Sequence, residues 1–375
     1  MDQYYPWFFL KSVPGIGNLL FRRLLERFSH PEEVIKASQS RLTAVQGISP
    51  RLARAILNHK MPGHVLDDMK AARQSGFAIV TFADEGYPPL LRHIPDPPPL
   101  LYVYGELPKG ERNVAVVGSR SATYYGLDAT FKICRDLADQ GVVVVSGMAR
   151  GIDTRAHQGA MEGGGKTVAV LGCGLGKVYP RGSEDLYQKI AQNGAVISEF
   201  PVGSEPEARH FPIRNRIISG MCKAVLVVEA AQKSGSLITA NLAAEQGREV
   251  FAVPGSVESH KSAGTNRLIK QGAGLAESAQ DILEALALSS HEPAARSATA
   301  LEEPLNPAPA PAMGLAEDEQ TVLEALGPYP IHIDVLVQRL GMPVGTLSAS
   351  LLQLELKGLA RQEPGKLFSR GTSLQ

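Results

Sequence analysis

The run SEFPVGSEPEARHFPIRNRIISG holds the densest set of reactive and binding side chains in the chain: Arg209, His210, Phe211, Arg214, Asn215 and Arg216. Guanidinium groups supply fixed cations for phosphate, and an aromatic ring supplies a face on which a base can stack. Upstream, three glycine-rich loops each follow a short Val-rich run: Gly118-Ser119-Arg120, then Ser146 to Asp153 (SGMARGID), then Gly172 to Lys177 (GCGLGK). Glycine lets a backbone approach a ligand closely, and a helix starting after such a loop turns free N–H groups and a positive dipole end toward an anion. Ser234-Gly235-Ser236 is a further start of this kind, with an N-cap serine as its plainer meaning. Any α/β protein carries some glycine at these turns, so a single loop says little. Three such loops together with Arg120 point to a site for phosphate.

Other chemistries fit less well. Gly163-Gly164-Gly165 precedes the third Val-rich run, lies at the opposite edge and is expected to stop a helix. GCGLGK lacks the G-x-G-x-x-G order and no acidic residue ends the second run, which disfavours a dinucleotide. There is no Ser-His-Asp set and no metal-spaced ligand group. His157 is expected as a hydrogen-bonded helix residue, Asp153 as a helix cap and Glu199 as a partner for a neighbouring arginine. No cofactor and no metal is expected.

The elements that must position these residues follow from periodicity. NVAVVGS, VVVVSG, TVAVLG, AVISEF, AVLVVEA and EVFAVPG alternate with longer amphipathic stretches, the pattern of βαβ units with both sheet faces covered. The fold class is therefore α/β, a Rossmann-like doubly wound parallel sheet, whose ligands bind outside the carboxyl ends of the strands. Residues 1–75 form an all-α, helix-hairpin-helix (SAM-like) domain, 76–288 the extended Rossmann-like domain, 289–314 an Ala/Pro-rich linker, and 315–375 a winged-helix domain.

In the first of these, the Gly15–Gly17 turn with Arg22 and Arg23 could face a DNA backbone. A second copy has Ser49 where the second glycine would stand, which puts a side chain where the backbone should approach. In the last, the helix over 344–357 carries one cation, Lys357, beside Glu355, and the domain has 5 basic against 7 acidic residues. This suits an accessory module rather than a duplex reader.

With 38 basic and 38 acidic residues overall, an anionic partner must be met by a local patch. Cys134, Cys173 and Cys222 are odd in number and far apart, which excludes a disulfide framework. No apolar run reaches the ~18 residues of a membrane helix and the N-terminus lacks signal-peptide features, so a cytoplasmic protein without membrane contact is expected.

In order along the chain, GSR, SGMARGIDTRAHQGA, GCGLGKVYP, FPIRNRIISG, SGSLITANLAAEQGREVFAVPG and GTNRLIKQGA resemble the DNA-processing protein family DprA, also called Smf. The resemblance covers the whole middle domain, and YPPLLRHIPDPPPLLYVYGEL before it also fits. It implies a non-enzymatic, cytosolic protein that binds single-stranded DNA, receives incoming strands in natural transformation and helps load the recombinase RecA. The family's DNA pocket would correspond to Gly118, Ser119, Arg120, Arg214, Asn215 and Arg216, with Ile217 as the apolar base contact. Gly147 and Lys177 in the other glycine loops would join it. A homodimer interface is implied near Leu268 and Ile269.

The alternative is a nucleoside-monophosphate phosphoribohydrolase, which shares a similar glycine-looped domain. Its P-G-G-x-G-T-x-x-E signature should fall where this chain reads SGSLITANL, which lacks the glutamate needed for acid–base chemistry. A nucleotide-sensing transcription regulator would need a basic recognition helix, which is not present.

Overall fold

Strands buried on both faces should read as unbroken apolar runs, and in the computed structural model, which describes residues 3–289, 315–327 and 329–371, the six Val-rich runs are all strands. The chain divides into two compact units, Met1–Ser121 with Ala129–Leu286, and Ala122–Asp128 with Ala287–Gln375.

The first unit begins with six helices, α1 (Tyr5–Ser12), α2 (Asn18–Phe28), α3 (Pro31–Ile35), α4 (Gln39–Thr43), α5 (Pro50–Leu57) and α6 (Gly63–Gln74). There follow β1 (Ala78–Thr81), a 3-10 turn at Leu90–His93, β2 (Leu100–Gly105), β3 (Asn113–Gly118), α7 (Tyr124–Asp139, its residues up to Asp128 counted with the second unit), β4 (Val143–Ser146), α8 (Ile152–Glu162) and β5 (Thr167–Val170). Next come α9 (Glu184–Asn193), β6 (Gly194–Ser198), α10 (His210–Gly220), β7 (Ala224–Val228), α11 (Gly235–Glu245), β8 (Glu249–Ala252), α12 (Ala263–Lys270), β9 (Gly274–Leu275) and α13 (Ala279–Ser289).

The sheet order is β1-β2-β6-β5-β4-β3-β7-β8-β9. From β6 through β9 every pair is parallel, while β2 runs antiparallel to β6 and β1 antiparallel to β2. The chain steps outward from β3 to β6 and then returns to lay β7 on the other side of β3. The β3–β7 crossover is thus the switch point at which such sheets bind ligands.

Alternate residues of β2 enter opposite layers. Leu100 and Tyr102 join a core that includes Trp7, Phe8, Leu24 and Leu171, whereas Leu101 and Val103 join one with Val117, Ile197, Ile217 and Val225. The N-terminal helices therefore share a core with the sheet. Lys11 Nζ on α1 donates to Glu199 O at 2.9 Å, and the Asp68 carboxylate of α6 accepts from Val202 N at 2.6 Å and from the Tyr102 hydroxyl.

Buried His157 on α8 is a hydrogen-bonded helix residue, as expected. The Thr167 hydroxyl donates to Val144 O at 2.8 Å, so its oxygen receives the Nδ1–H of His157 at 2.7 Å. That leaves Nε2 bare and unpartnered. Burial, assisted by the charge of Arg214, pushes the imidazole pKa down to about 3. A folded value below the unfolded one gives stability that is complete above the unfolded pKa of 6.5 and is lost as pH falls toward the folded value. Between about pH 7 and about pH 5 this group should cost roughly 2 kcal/mol. Urea titrations of wild type and His157→Gln should show a steeper acid loss in the wild type, and parallel losses would contradict the assignment.

The second unit carries α14 (Glu317–Ala325), β10 (Ile331–His332), α15 (Ile333–Leu340), α16 (Val344–Leu356), β11 (Ala360–Glu363) and β12 (Leu367–Arg370). The strands pair in the order β10-β12-β11, and Val322, Leu336, Leu347, Leu351, Leu354 and Phe368 form the core of a winged helix. Residues 290–314, nearly all of the expected linker, lie outside the described residues. Among the described residues no single helix is long and apolar enough to cross a membrane.

Candidate nucleic-acid interface

The loops after β3, β4, β5 and β7 open on one edge of the sheet and line two adjoining clefts. The first, of about 740 Å³, lies over the β3–β7 crossover between Gly118-Ser119-Arg120 and Lys233-Ser234-Gly235-Ser236, with Asp153, Asn215 and Thr239 also in its walls. The second, of about 910 Å³, lies over β4 and β5, between Gly147-Arg150 and Leu171-Arg181. Arg120, Tyr179, Phe211 and Arg214 border both.

Phe211 marks the boundary. The guanidinium carbons of Arg120 and Arg214 lie 5.5 and 5.9 Å from its ring centroid, and the Tyr179 ring is 5.5 Å away at 38°. Gly172 lies against this ring so closely that a Cβ there would come within 2.7 Å of it. At Gly151 a φ of +79° lets the chain turn into α8 directly beneath the backbone carbonyls of Ser119 and Arg120.

Arg214 is buried and braces the loops. Its Nη1 donates to Gly147 O at 3.0 Å and to Val170 O, and its Nε to Asn215 Oδ1 at 3.3 Å. Burial lowers the guanidinium pKa to about 10, with the Asp153 carboxylate opposing the shift, so the group stays charged at neutral pH. Asp153 Oδ2 in turn accepts from Gly147 N at 3.1 Å and Ala149 N at 3.3 Å, so it ties down the loop before α8 and does not cap the helix as expected; the N-cap is Gly151, with no side-chain cap. Arg120 is exposed, borders both clefts and has no ion-pair partner among the described residues.

Gly118, Ser119, Arg120, Gly147, Lys177, Arg214 and Asn215 thus gather at this edge. Lys177 pairs with Glu205 at 2.6 Å, an exposed pair of the kind that contributes little and can exchange for phosphate. Two expected contacts are placed otherwise. Arg216 has a side chain 7% exposed and is held by both oxygens of Glu199 at 2.8 and 2.7 Å and by Asp96 at 2.8 Å, which commits it to the fold. Ile217 is wholly buried in the core with Val225 and Val227, and no stacking base can reach it; Phe211 is the accessible apolar face instead.

Away from this edge, Leu268 is 8% exposed and packs α12 onto the sheet, so it is a core residue, while Ile269 is only partly buried. Ser49 caps α5 through its own hydroxyl, which accepts from Leu52 N at 3.2 Å, and Arg22 and Arg23 bond to Glu26 and to backbone carbonyls. Lys357 pairs with Glu319 at 2.6 Å, which neutralises the one cation of its helix. Tyr179, Arg181 and Lys233 escaped the sequence reading, although VYPRG directly follows the third glycine loop and Lys233 directly precedes Ser234. Among the described residues no group of three or more His, Cys, Asp or Glu could hold a metal ion.

Residues 78–287 match the family model described as DNA recombination-mediator protein A, 306–366 the DprA winged helix domain, and 9–59 a SAM-like helix-hairpin-helix tandem. The chain is 34% identical to Protein Smf of Synechocystis sp. over 97% of its own length and 98% of the relative's. It is 43% identical to the DNA processing protein DprA of Streptococcus pneumoniae over 58% of this chain and 78% of that one. Among solved structures, that of S. pneumoniae DprA superposes with a TM-score of 0.64 at 36% identity, covering 76% of this chain and 98% of that one. A structure of DNA processing protein A from Helicobacter pylori, described by its single-stranded DNA binding mode, superposes with a TM-score of 0.51 at 32% identity over 58% of this chain and 99% of that one.

Proposed function

The chain belongs to the DNA recombination-mediator protein A family, and from that premise we propose that it binds single-stranded DNA along the loop edge of its sheet. In natural transformation it receives incoming strands and helps load RecA onto them, without catalysing a reaction itself.

The observation that carries this reading is Phe211 between two guanidinium groups at the boundary of two clefts. An accessible ring flanked by cations suits bases that are free to unstack, next to their own phosphates. Paired bases in a duplex offer no such free face. The relative from H. pylori, whose structure is described by a single-stranded DNA binding mode, adds weight to the choice. Against hydrolysis of a nucleotide, both oxygens of Glu199 are engaged by Arg216, so it is not poised as a general acid or base.

A single site with a few phosphate contacts binds weakly at physiological salt. A symmetric homodimer would place two such edges on one particle and raise the effective concentration of the second for a long strand. The surface for it is Ile269 with Leu275, which is 47% exposed on the edge strand β9. Ile269→Arg is expected to sediment as a monomer and to lose the rise of affinity with strand length. A monomeric wild type would refute the dimer.

The loading role is tested by RecA filament growth on strands coated with a single-strand-binding protein. Added wild type should shorten the lag and Arg120→Ala should not. An unchanged lag with the wild type would remove the loading role while leaving DNA binding in place.

A further inference from the structure

We propose that the cleft at the β3–β7 crossover is a seat for a 5′-phosphorylated nucleotide, either the first residue of a strand or a free mononucleotide. The inference rests on the single-strand reading above and names what that part of the site selects.

The cleft is polarised. On one wall Lys233 is exposed, with no ion-pair partner among the described residues, and stands just before the N-terminus of α11. Ser234 caps that helix, accepting from Ser236 N at 3.3 Å, and the two hydroxyls are 2.7 Å apart. A helix N-terminus with a capping serine is common and signals nothing alone. One turn further in, Thr239 is 1% exposed, lines the same cleft and has no side-chain hydrogen-bond partner among the described residues. A hydroxyl buried to this degree is ordinarily satisfied, so one left open to a cleft marks the place of a ligand atom.

On the facing wall stands Asp153, 7% exposed. Its Oδ2 is taken by Gly147 N and Ala149 N, and its Oδ1 has no partner among the described residues. Burial pushes this carboxyl above its ordinary range, with Arg214 acting in the opposite sense. β4 and β7 flank β3, so the two walls come from loops that follow strands on either side of it.

Lys233, the Gly235 N–H and the Thr239 hydroxyl stand at one end, and at the other the Asp153 carboxylate beside Arg120 and Arg214; a carboxylate in the wall is unsuited to a continuous run of phosphates. Such a lining fits a group with an anion at one end and N–H donors at the other. A nucleotide with its 5′-phosphate at Lys233, Ser234-Gly235-Ser236 and Thr239 would turn its base amino and imino groups toward Asp153. The rest of a strand would leave past Arg120. The second cleft, which adds Arg150, Lys177 and Arg181 to the shared Arg120 and Arg214, suits internal phosphates.

The test uses the full chain and fluorescence anisotropy with short single strands of one sequence bearing a 5′-phosphate, a 5′-hydroxyl, or a 3′-phosphate as the charge control. The 5′-phosphorylated strand should bind about tenfold more tightly than the other two, the effect of one charge-assisted contact. In Lys233→Ala, and separately in the near-isosteric Thr239→Val, the affinities for the three strands should converge. A preference abolished by added deoxyguanosine 5′-monophosphate assigns the seat to a nucleotide as such, and one that survives it assigns the seat to the strand terminus; both uphold the seat. Equal affinities in the wild type would overturn the inference while the single-strand reading stands. Failure of the wild type to bind any of the three would overturn both.

Discussion

Arg216→Ala is expected to cost about 3–5 kcal/mol of folding stability, the usual penalty for removing one partner of a buried ion pair. The Glu199 side chain is 10% exposed, and its two oxygens meet Nη1 and Nη2 of Arg216 in a fork. Without the guanidinium that carboxylate is left charged and desolvated. Asp96 is 48% exposed and recovers hydration, so the penalty falls on Glu199. Domains of this kind are stable by only ~5–15 kcal/mol, so the melting temperature should drop steeply. Glu199→Gln combined with Arg216→Met should recover much of the loss, because the variant pair buries no charge. A melting temperature for Arg216→Ala within a degree or two of wild type would contradict the assignment of Arg216 as structural.

Phe211→Ala is expected to weaken single-strand binding by about tenfold to a hundredfold, since one base stacked on an aromatic ring contributes ~1–3 kcal/mol. The loss should be nearly equal for all sequences, because every base has a face to stack. The salt dependence should stay the same, since no phosphate contact is removed. Arg120→Ala is the complement, expected to lower affinity and reduce the slope of log affinity against log salt by ~0.7. If Phe211→Ala altered the slope and Arg120→Ala did not, the two roles would be exchanged. Wild-type affinity in both would displace the site from this edge.

How far these placements could be read from sequence differs by element. The strands from β3 to β8 were legible because residues buried on both faces are unbroken apolar runs such as NVAVVG and AVLVV. β2 is just as apolar, LLYVYG, but the prolines at 97–99 directly before it marked a boundary and hid its pairing with β6. β9, of 2 residues, is too short for any pattern to register, and β1, AIVT, is followed by no glycine loop that would mark it as a strand of the alternating series.

Within the site, the position of Arg120 after a strand was enough to place it. The Arg214-Asn215-Arg216 run was misleading for a geometric reason. Successive helix residues turn by about 100°, so Arg214 and Arg216 point to nearly opposite sides and cannot share one cleft. Phe211, three residues before Arg214, falls on the same face and meets it. Ile217, three residues after Arg214, packs inward under the sheet-facing side of the helix. Glu199 was expected to hold a neighbouring arginine; what the sequence could not supply was which arginine, and that Asp96, 120 residues away, joins it in committing Arg216 to the fold.

Whether the loop edge prefers single strands to duplex is decided by fluorescence anisotropy of the full chain with single-stranded and duplex oligonucleotides of equal length, across a series of salt concentrations. The single strand should bind clearly more tightly at every salt concentration, its log affinity falling against log salt with a slope of ~0.7 for each phosphate engaged. Equal binding of the two forms, or a preference for duplex, would contradict the single-strand reading.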